Sequence, residues 1–398
     1  MHLVNKKTAA VLVLAALGFV VYSFNLNNQL FWDDDEWIKG NPYVHDFSRL
    51  KEIFTRDILS GFGLNSNYYR PLTLLSFAFN YVLHGLKPLG YHLLNNGIHI
   101  ANGVLIFLLF SGVIRPQAAF LAALLFLIHP VQTEAVTYIS GRGDPMSVFF
   151  MLLALWLFVK SRGPTKRFLY SPLSLTSMVL AVLSRETAIL LPLLLMAFYV
   201  AFLGKGGFWR SLWGSLIKTL PYWAVSVAYG VLRLTVLNFK NTLNFYSQAN
   251  EYTQHLSYRL FTFGHALIDY FRLIFVPIGL HMERDLALKT SLFQGPVFLA
   301  FLLVLLIVLI VWVLYRREKL ADFRIWFFGW TWFFIGLAPV SGIIPINAVI
   351  YEHWLYLPLI GFFTVAAFWL DKALSFLRSK KLIAYNLELT AYSLLLAA

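Results

Sequence analysis

The chain has 398 residues, of which 59% are hydrophobic and only 13% charged, with 37 Phe, 20 Tyr and 12 Trp. Soluble domains carry roughly 25% charged residues, so this composition excludes an ordinary soluble enzyme and fits a polytopic membrane protein with aromatic belts at both interfaces. The net charge of +13 belongs to cytoplasmic loops rather than to a nucleic-acid surface, and the absence of Cys excludes disulfides and thiol chemistry.

In chain order, "MHLVNKK" leads into "TAAVLVLAALGFVVYSF" (8–24). This reads as a retained anchor, because the run is long for a signal peptide and no clear small-x-small site precedes the acids that follow. A span needs about 20 mainly apolar residues. On that measure spans fall near 8–26, 90–113, 116–132, 146–160, 168–184, 187–203, 219–237, 292–314, 325–343, 354–370 and 382–398. Residues 71–86 are too short to cross and read as a helix in the outer interface, so the first outer loop, 27–89, is large and partly helical. Residues 256–280 carry His265, Asp269 and Arg272 and suit an interfacial or re-entrant amphipathic helix inside a second outer loop, 238–291. With Lys6 and Lys7 inside, the basic loops at Arg115, 160–167, 204–210, 315–319 and 371–381 fall on one side, as the positive-inside rule requires. The expected fold is all-α, a single membrane domain over 1–398 with about 11 transmembrane helices and no internal repeat. The apolar ending "AYSLLLAA" is read as the front part of a longer protein.

The polar outliers gather on the expected outer side. "FWDDDEWIKGNPYVHDF" (31–47) sets Asp33, Asp34, Asp35 and Glu36 at the mouth of the first span. Arg70 lies in "YYRPLT", His129 and Glu134 in "HPVQTEAV", Arg142 and Asp144 in "SGRGDP", Arg185 and Glu186 in the turn "LSRET", and Glu352 and His353 in "YEHWLYLP". His92 and His99 read as satisfied helix histidines, Tyr138 and Trp354 as interface aromatics, and Arg185–Glu186 taken alone as a salt bridge within its turn. Charges at membrane depth are costly and usually pair or line a polar cavity. Acids, arginines and histidines converging from five loops therefore suggest a site that binds an anion and does acid–base work.

Sugar transfer from a lipid-linked phosphate suits this set. Arginine forks match phosphate geometry, donors can stabilise the departing phosphate, and a carboxylate can deprotonate an acceptor hydroxyl. A divalent cation on Asp33, Asp34, His129 and Glu134 is an option by ligand type, although no close spacing demands one.

The runs "FWDDDEWIKGNPYV", "YRPLTLLSFAFNYVLHGLKPLGYHLLN" and "IHPVQTEAVTYISGRGD" resemble the membrane domain of the transmembrane-and-TPR O-mannosyltransferases and their bacterial relatives. "LSRETAILLPLLL" is similar to that family's "SKET" segment, and "EHWLYLPLIGF" to its "ERYLYLPSIGF" segment. The resemblance covers about residues 30–200 and 345–365. It implies a GT-C glycosyltransferase fold and inverting transfer from a polyprenyl-phosphate sugar, dolichyl or undecaprenyl. It puts the family's acidic pair on Asp33 and Asp34, with Asp33 as the base, and matches Arg70, His129, Glu134 and Arg142. Asp35 and Glu36 lie outside that pair and read as solvated charges. Arg185 replaces the family's usual Lys and His353 a common Arg, and the family's helical-repeat region does not follow in this sequence.

The expected activity is transfer of a mannose-like hexose to a protein Ser/Thr, glycan or lipid hydroxyl. The site would face the periplasm or lumen, with a bacterial inner membrane favoured. The alternatives are a transporter or flippase of a lipid-linked or anionic substrate, and a non-catalytic scaffold. The absence of an internal repeat and the one-sided charge both count against transport.

Overall fold

The long apolar runs of the sequence fold as long helices, because only internally hydrogen-bonded backbone is tolerated in hydrocarbon. In the computed structural model, residues 2–163, 167–239, 249–346 and 348–380 are described, and among them every regular element is helical. Eight helices there are long and apolar enough to cross a membrane, or nine if the bent pair Pro116–Ile128 with Pro130–Thr137 is counted as one span. The expected span at 219–237 falls in the helix Phe208–Leu234, which is too polar to join that set. The expected span at 382–398 lies outside the described residues.

Helix starts follow proline. Pro71, Pro88 and Pro116 each stand in the first turn of a helix, where the missing N–H costs nothing and φ is already helical. Proline also explains a sharp bend. Pro130 forces His129 out of the helical region (φ −67°, ψ 126°), and the chain resumes at 54° to the preceding helix. The expected span 116–132 therefore ends at Ile128, and Glu134 rides on the short helix Thr133–Thr137 beyond the bend.

Small residues let two of the helices approach closely. The helices Leu320–Leu337 and Pro358–Ser379 pack together. A Cβ on Gly361 would collide with the carbonyl oxygen of Gly329, and one on Gly329 with Val365. Such small-residue crossings let helices gain contact where lipid removes the hydrophobic drive. The helix His2–Tyr22 is fixed to Pro88–Phe110 by polar bonds instead: Asn25 and Asn96 exchange amide hydrogen bonds at 2.9 Å, and Asn96 also donates to the Tyr22 carbonyl at 3.0 Å.

The acid-bearing segment 27–89 has its own apolar core. Trp37, Ile38, Val44, Ile53, Ile58, Leu74 and Phe77 are buried together with Tyr91 and Ile139. This plug fixes the acids against the bundle rather than leaving them on a free loop.

Candidate functional site

Four acids in a row fall into four environments. Trp32, just before them, is forced to a left-handed φ of 55°, a conformation that is strained for a bulky residue. Asp34 is fully buried: one carboxylate oxygen accepts from Ser140 N–H (2.9 Å) and hydroxyl (2.5 Å), and the other from Phe31 N–H (3.1 Å). Burial, only partly offset by these bonds, pushes its carboxyl up to about 6. Asp33 is half-buried, and its N–H donates to the Tyr138 hydroxyl at 3.1 Å. Burial, then the Asp33 charge, raises the Tyr138 hydroxyl well above the usual phenol range, so that hydroxyl stays protonated and hydrogen-bonds the Asp33 carboxylate in return. Asp35 is exposed and pairs with Lys39 at 2.5 Å within the turn Asp35–Lys39. Glu36 is half-exposed.

The turn at 185–186 does not pair with itself. Arg185 is extended (φ −156°, ψ 139°), which sends consecutive side chains apart. Glu186 instead receives a fork from Arg70, Nε at 2.9 Å and Nη2 at 2.5 Å. Arg70 lies 4.5 Å from the Tyr68 ring centre and 5.9 Å from that of Trp37.

Arg185 enters a second chain of charges. Its Nη1 pairs with Asp144. Its Nη2 lies 3.4 Å from Nε2 of His353, whose Nδ1 meets Glu134 Oε1 at 2.7 Å. The His353 N–H also donates to Glu134 Oε2 at 2.8 Å. Of this chain, Asp144, Arg185 and His353 line a cleft together with Thr187, Gly336, Pro339, Val340, Trp354 and Leu357, and Glu134 holds His353 from behind. Two tyrosines that sequence reasoning missed are coupled to both groups of charges. Tyr68 is within electrostatic reach of Arg70, Glu186, Arg185 and Asp33, and Tyr351 of Glu134 and Asp33.

Three expected ligands are engaged by neighbouring protein groups. Arg142 is fully buried, and its nitrogens go to Asn95 Oδ1 (2.6 Å), Ser76 Oγ (3.0 Å) and the Tyr91 carbonyl (3.2 Å), with Phe77 stacked at 4.5 Å. His129 uses both ring nitrogens on backbone, Ile274 carbonyl and Val131 N–H. Glu352 is buried under Arg284 and the His281 N–H, pinning the stretch around 281–284. Among the described residues no group of three or more His, Asp or Glu is placed to hold a metal ion. His99 is satisfied, as expected, by the Tyr356 hydroxyl and the Leu127 carbonyl, whereas His92 reaches the Asn28 carbonyl through Nε2 and its Nδ1 is buried with no hydrogen-bond partner among the described residues.

Comparison with known proteins gives a consistent picture. No family model matches the chain. Protein O-mannosyl-transferase TMTC3 of Mus musculus is 36% identical over 162 residues, 39% of this chain and 18% of its own length. A protein O-mannosyl-transferase of Caenorhabditis elegans is 28% identical over 375 residues, 89% of this chain and 50% of its own length. The chain resembles the membrane domain of the protein O-mannosyl-transferases. It spans at most half the length of these two relatives. ArnT from Cupriavidus metallidurans, solved bound to undecaprenyl phosphate, superimposes with a TM-score of 0.51 at 16% identity, over 92% of this chain and 60% of ArnT. That likeness shows the fold alone, an all-α membrane bundle shared with ArnT. The two departures from the O-mannosyl-transferase motifs, Arg185 for Lys and His353 for Arg, are neighbours in one charge chain.

Proposed function

We propose that the chain is a GT-C glycosyltransferase. It transfers a mannose-like hexose, with inversion, from a polyprenyl-phosphate donor to an acceptor hydroxyl on the outer face of the membrane. What supports this reading is a pair of tyrosines that link Asp33 to the Arg185–His353 cleft: Tyr68 is in electrostatic reach of both Asp33 and Arg185, and Tyr351, stacked on His353, is in electrostatic reach of Asp33. Asp33 has no ion-pair partner among the described residues, so its carboxylate is free to take a proton from an acceptor. Arg185 and His353 would hold the donor phosphate in the cleft, with Asp144 aligning Arg185 and Glu134 aligning His353. Arg70 and Glu186 would fix the wall between them.

The step is a displacement at the anomeric carbon. Asp33 accepts the acceptor's hydroxyl proton as that oxygen attacks, and the phosphate leaves toward Arg185. A base on one side and a phosphate clamp on the other favour in-line attack and inversion. The similarity to proteins named O-mannosyl-transferases supports the sugar and reaction class, and the fold shared with ArnT supports a lipid-phosphate donor. Asp34, Arg142, His129 and Glu352 are assigned to positioning.

The test is purified protein in nanodiscs offered a panel of polyprenyl-phosphate sugars, with release of free polyprenyl phosphate as the readout. Release supports a transferase. Movement of labelled lipid across liposomes without release from any donor favours a flippase.

A further inference from the structure

Glu134 spends both carboxylate oxygens on one residue. Oε2 takes the His353 main-chain N–H at 2.8 Å, and Oε1 meets Nδ1 at 2.7 Å. An ionised carboxylate only accepts, so Nδ1 carries the proton and the neutral ring presents a lone pair at Nε2. That lone pair faces Arg185 Nη2 at 3.4 Å, a loose contact at the edge of the cleft. Arg185 is itself buried, yet its Nε has no hydrogen-bond partner among the described residues. The cleft therefore offers an incompletely used guanidinium beside an imidazole whose outer nitrogen is weakly engaged.

We infer that His353 is a proton-carrying ligand of the donor phosphate and delivers that proton to the phosphate as it departs. The inference rests on the transferase reading above. An anionic oxygen entering the cleft takes over Arg185 Nη2 and Nε as a fork. Nε2 is then left facing negative charge and gains a proton, and the buried Glu134 carboxylate balances the imidazolium. The groups facing the ring are Glu134, Arg185, Asp144 behind Arg185, and the Tyr351 ring stacked at 5.0 Å. Gly336, Pro339, Val340 and Leu357, which close the cleft, bring no titratable group.

The chemistry gives this proton a use. A donor phosphodiester carries one negative charge, whereas the released phosphate monoester carries nearly two, its second pKa being about 6. As the anomeric C–O bond breaks, its electron pair goes to the phosphate oxygen, which takes the proton from Nε2. The acceptor's proton goes to Asp33 as the new C–O bond forms. His353 ends neutral and Asp33 protonated, and exchange with solvent resets both. An arginine at 353 holds charge but cannot release a proton near neutral pH.

The experiment measures affinity for undecaprenyl phosphate and, separately, dolichyl phosphate in nanodiscs from pH 5.5 to 8.5. It compares wild type, His353→Arg, His353→Gln and Glu134→Gln, each first shown by its melting curve to be folded. The ligand's own titration is common to all, so the ratio of wild-type to variant Kd isolates the imidazole. That ratio should rise with pH against His353→Arg and His353→Gln, by up to about tenfold per pH unit for one linked proton. Glu134→Gln should move the transition to lower pH. A ratio that stays flat while wild type and variants all bind overturns the role of His353 and leaves the transferase reading standing. No binding of either lipid by wild type at any pH overturns both.

Discussion

Ser140 donates two hydrogen bonds to a single oxygen of Asp34, from its main-chain N–H at 2.9 Å and its hydroxyl at 2.5 Å. The two residues are 106 positions apart, so this clamp fixes the acid-bearing segment to the turn that starts the next long helix. With Tyr138 holding Asp33, the stretch 138–140 sets the position of both acids.

Removing the hydroxyl tests the clamp. Ser140→Ala should lower stability by about 1–2 kcal/mol, since the Asp34 carboxylate stays buried with one partner fewer. Under the proposed activity, kcat should fall while donor affinity is kept. Melting curves and steady-state kinetics on the same preparation report both.

Asp34 also gives a pH signature. Its carboxyl sits at about 6 in the fold, raised from 3.8 chiefly by burial, so the folded chain binds this proton more tightly than the unfolded one. The linked stability is therefore greatest below pH about 4, declines as pH rises toward 6, and stays lower above it. The swing is at most about 3 kcal/mol. Asp34→Asn should flatten this decline, measured as apparent Tm between pH 4 and 7.5.

Arg142 and Arg185 should respond oppositely to lysine. Arg142 bonds three separate partners with a planar fork and is fully buried, which an ammonium cannot reproduce. Arg142→Lys and Arg142→Ala should each cost about 3 kcal/mol or more and deplete folded protein in size-exclusion profiles. Arg185→Lys should fold, and lose activity only in part, because charge beside Asp144 and the cleft is kept.

The glycine crossing makes a purely structural prediction. Gly361→Leu must push the helices Leu320–Leu337 and Pro358–Ser379 apart at Gly329. A loss of about 1–3 kcal/mol follows from overpacking, with a lower Tm in detergent as the measurement.

What could be read in advance divides along physical lines. Spans are long local runs, so the helices at 8–26, 90–113 and 168–184 were visible as composition. The bend at His129 was also local, written in Pro130, although the expected span ran through it. Which charge meets which partner is not local. Arg185 and Glu186 read as one pair, yet each found a partner 41 or 116 residues away. Arg142 was expected to bind substrate from its residue type and its match to the family's loop; nothing in "SGRGDP" shows that Asn95, Ser76 and Tyr91 enclose it. Ser140, Tyr68 and Arg284 carried no signal, because their roles exist only once distant segments have packed.

The most direct measurement is single-turnover release of polyprenyl phosphate in nanodiscs, wild type beside Asp33→Asn and Asp35→Asn, all shown to be folded. If Asp33 is the base, Asp33→Asn should slow transfer by about 10²-fold or more, while the Lys39-paired Asp35 variant stays near wild type. Transfer at the wild-type rate by Asp33→Asn would contradict the assignment of the active site to this acid.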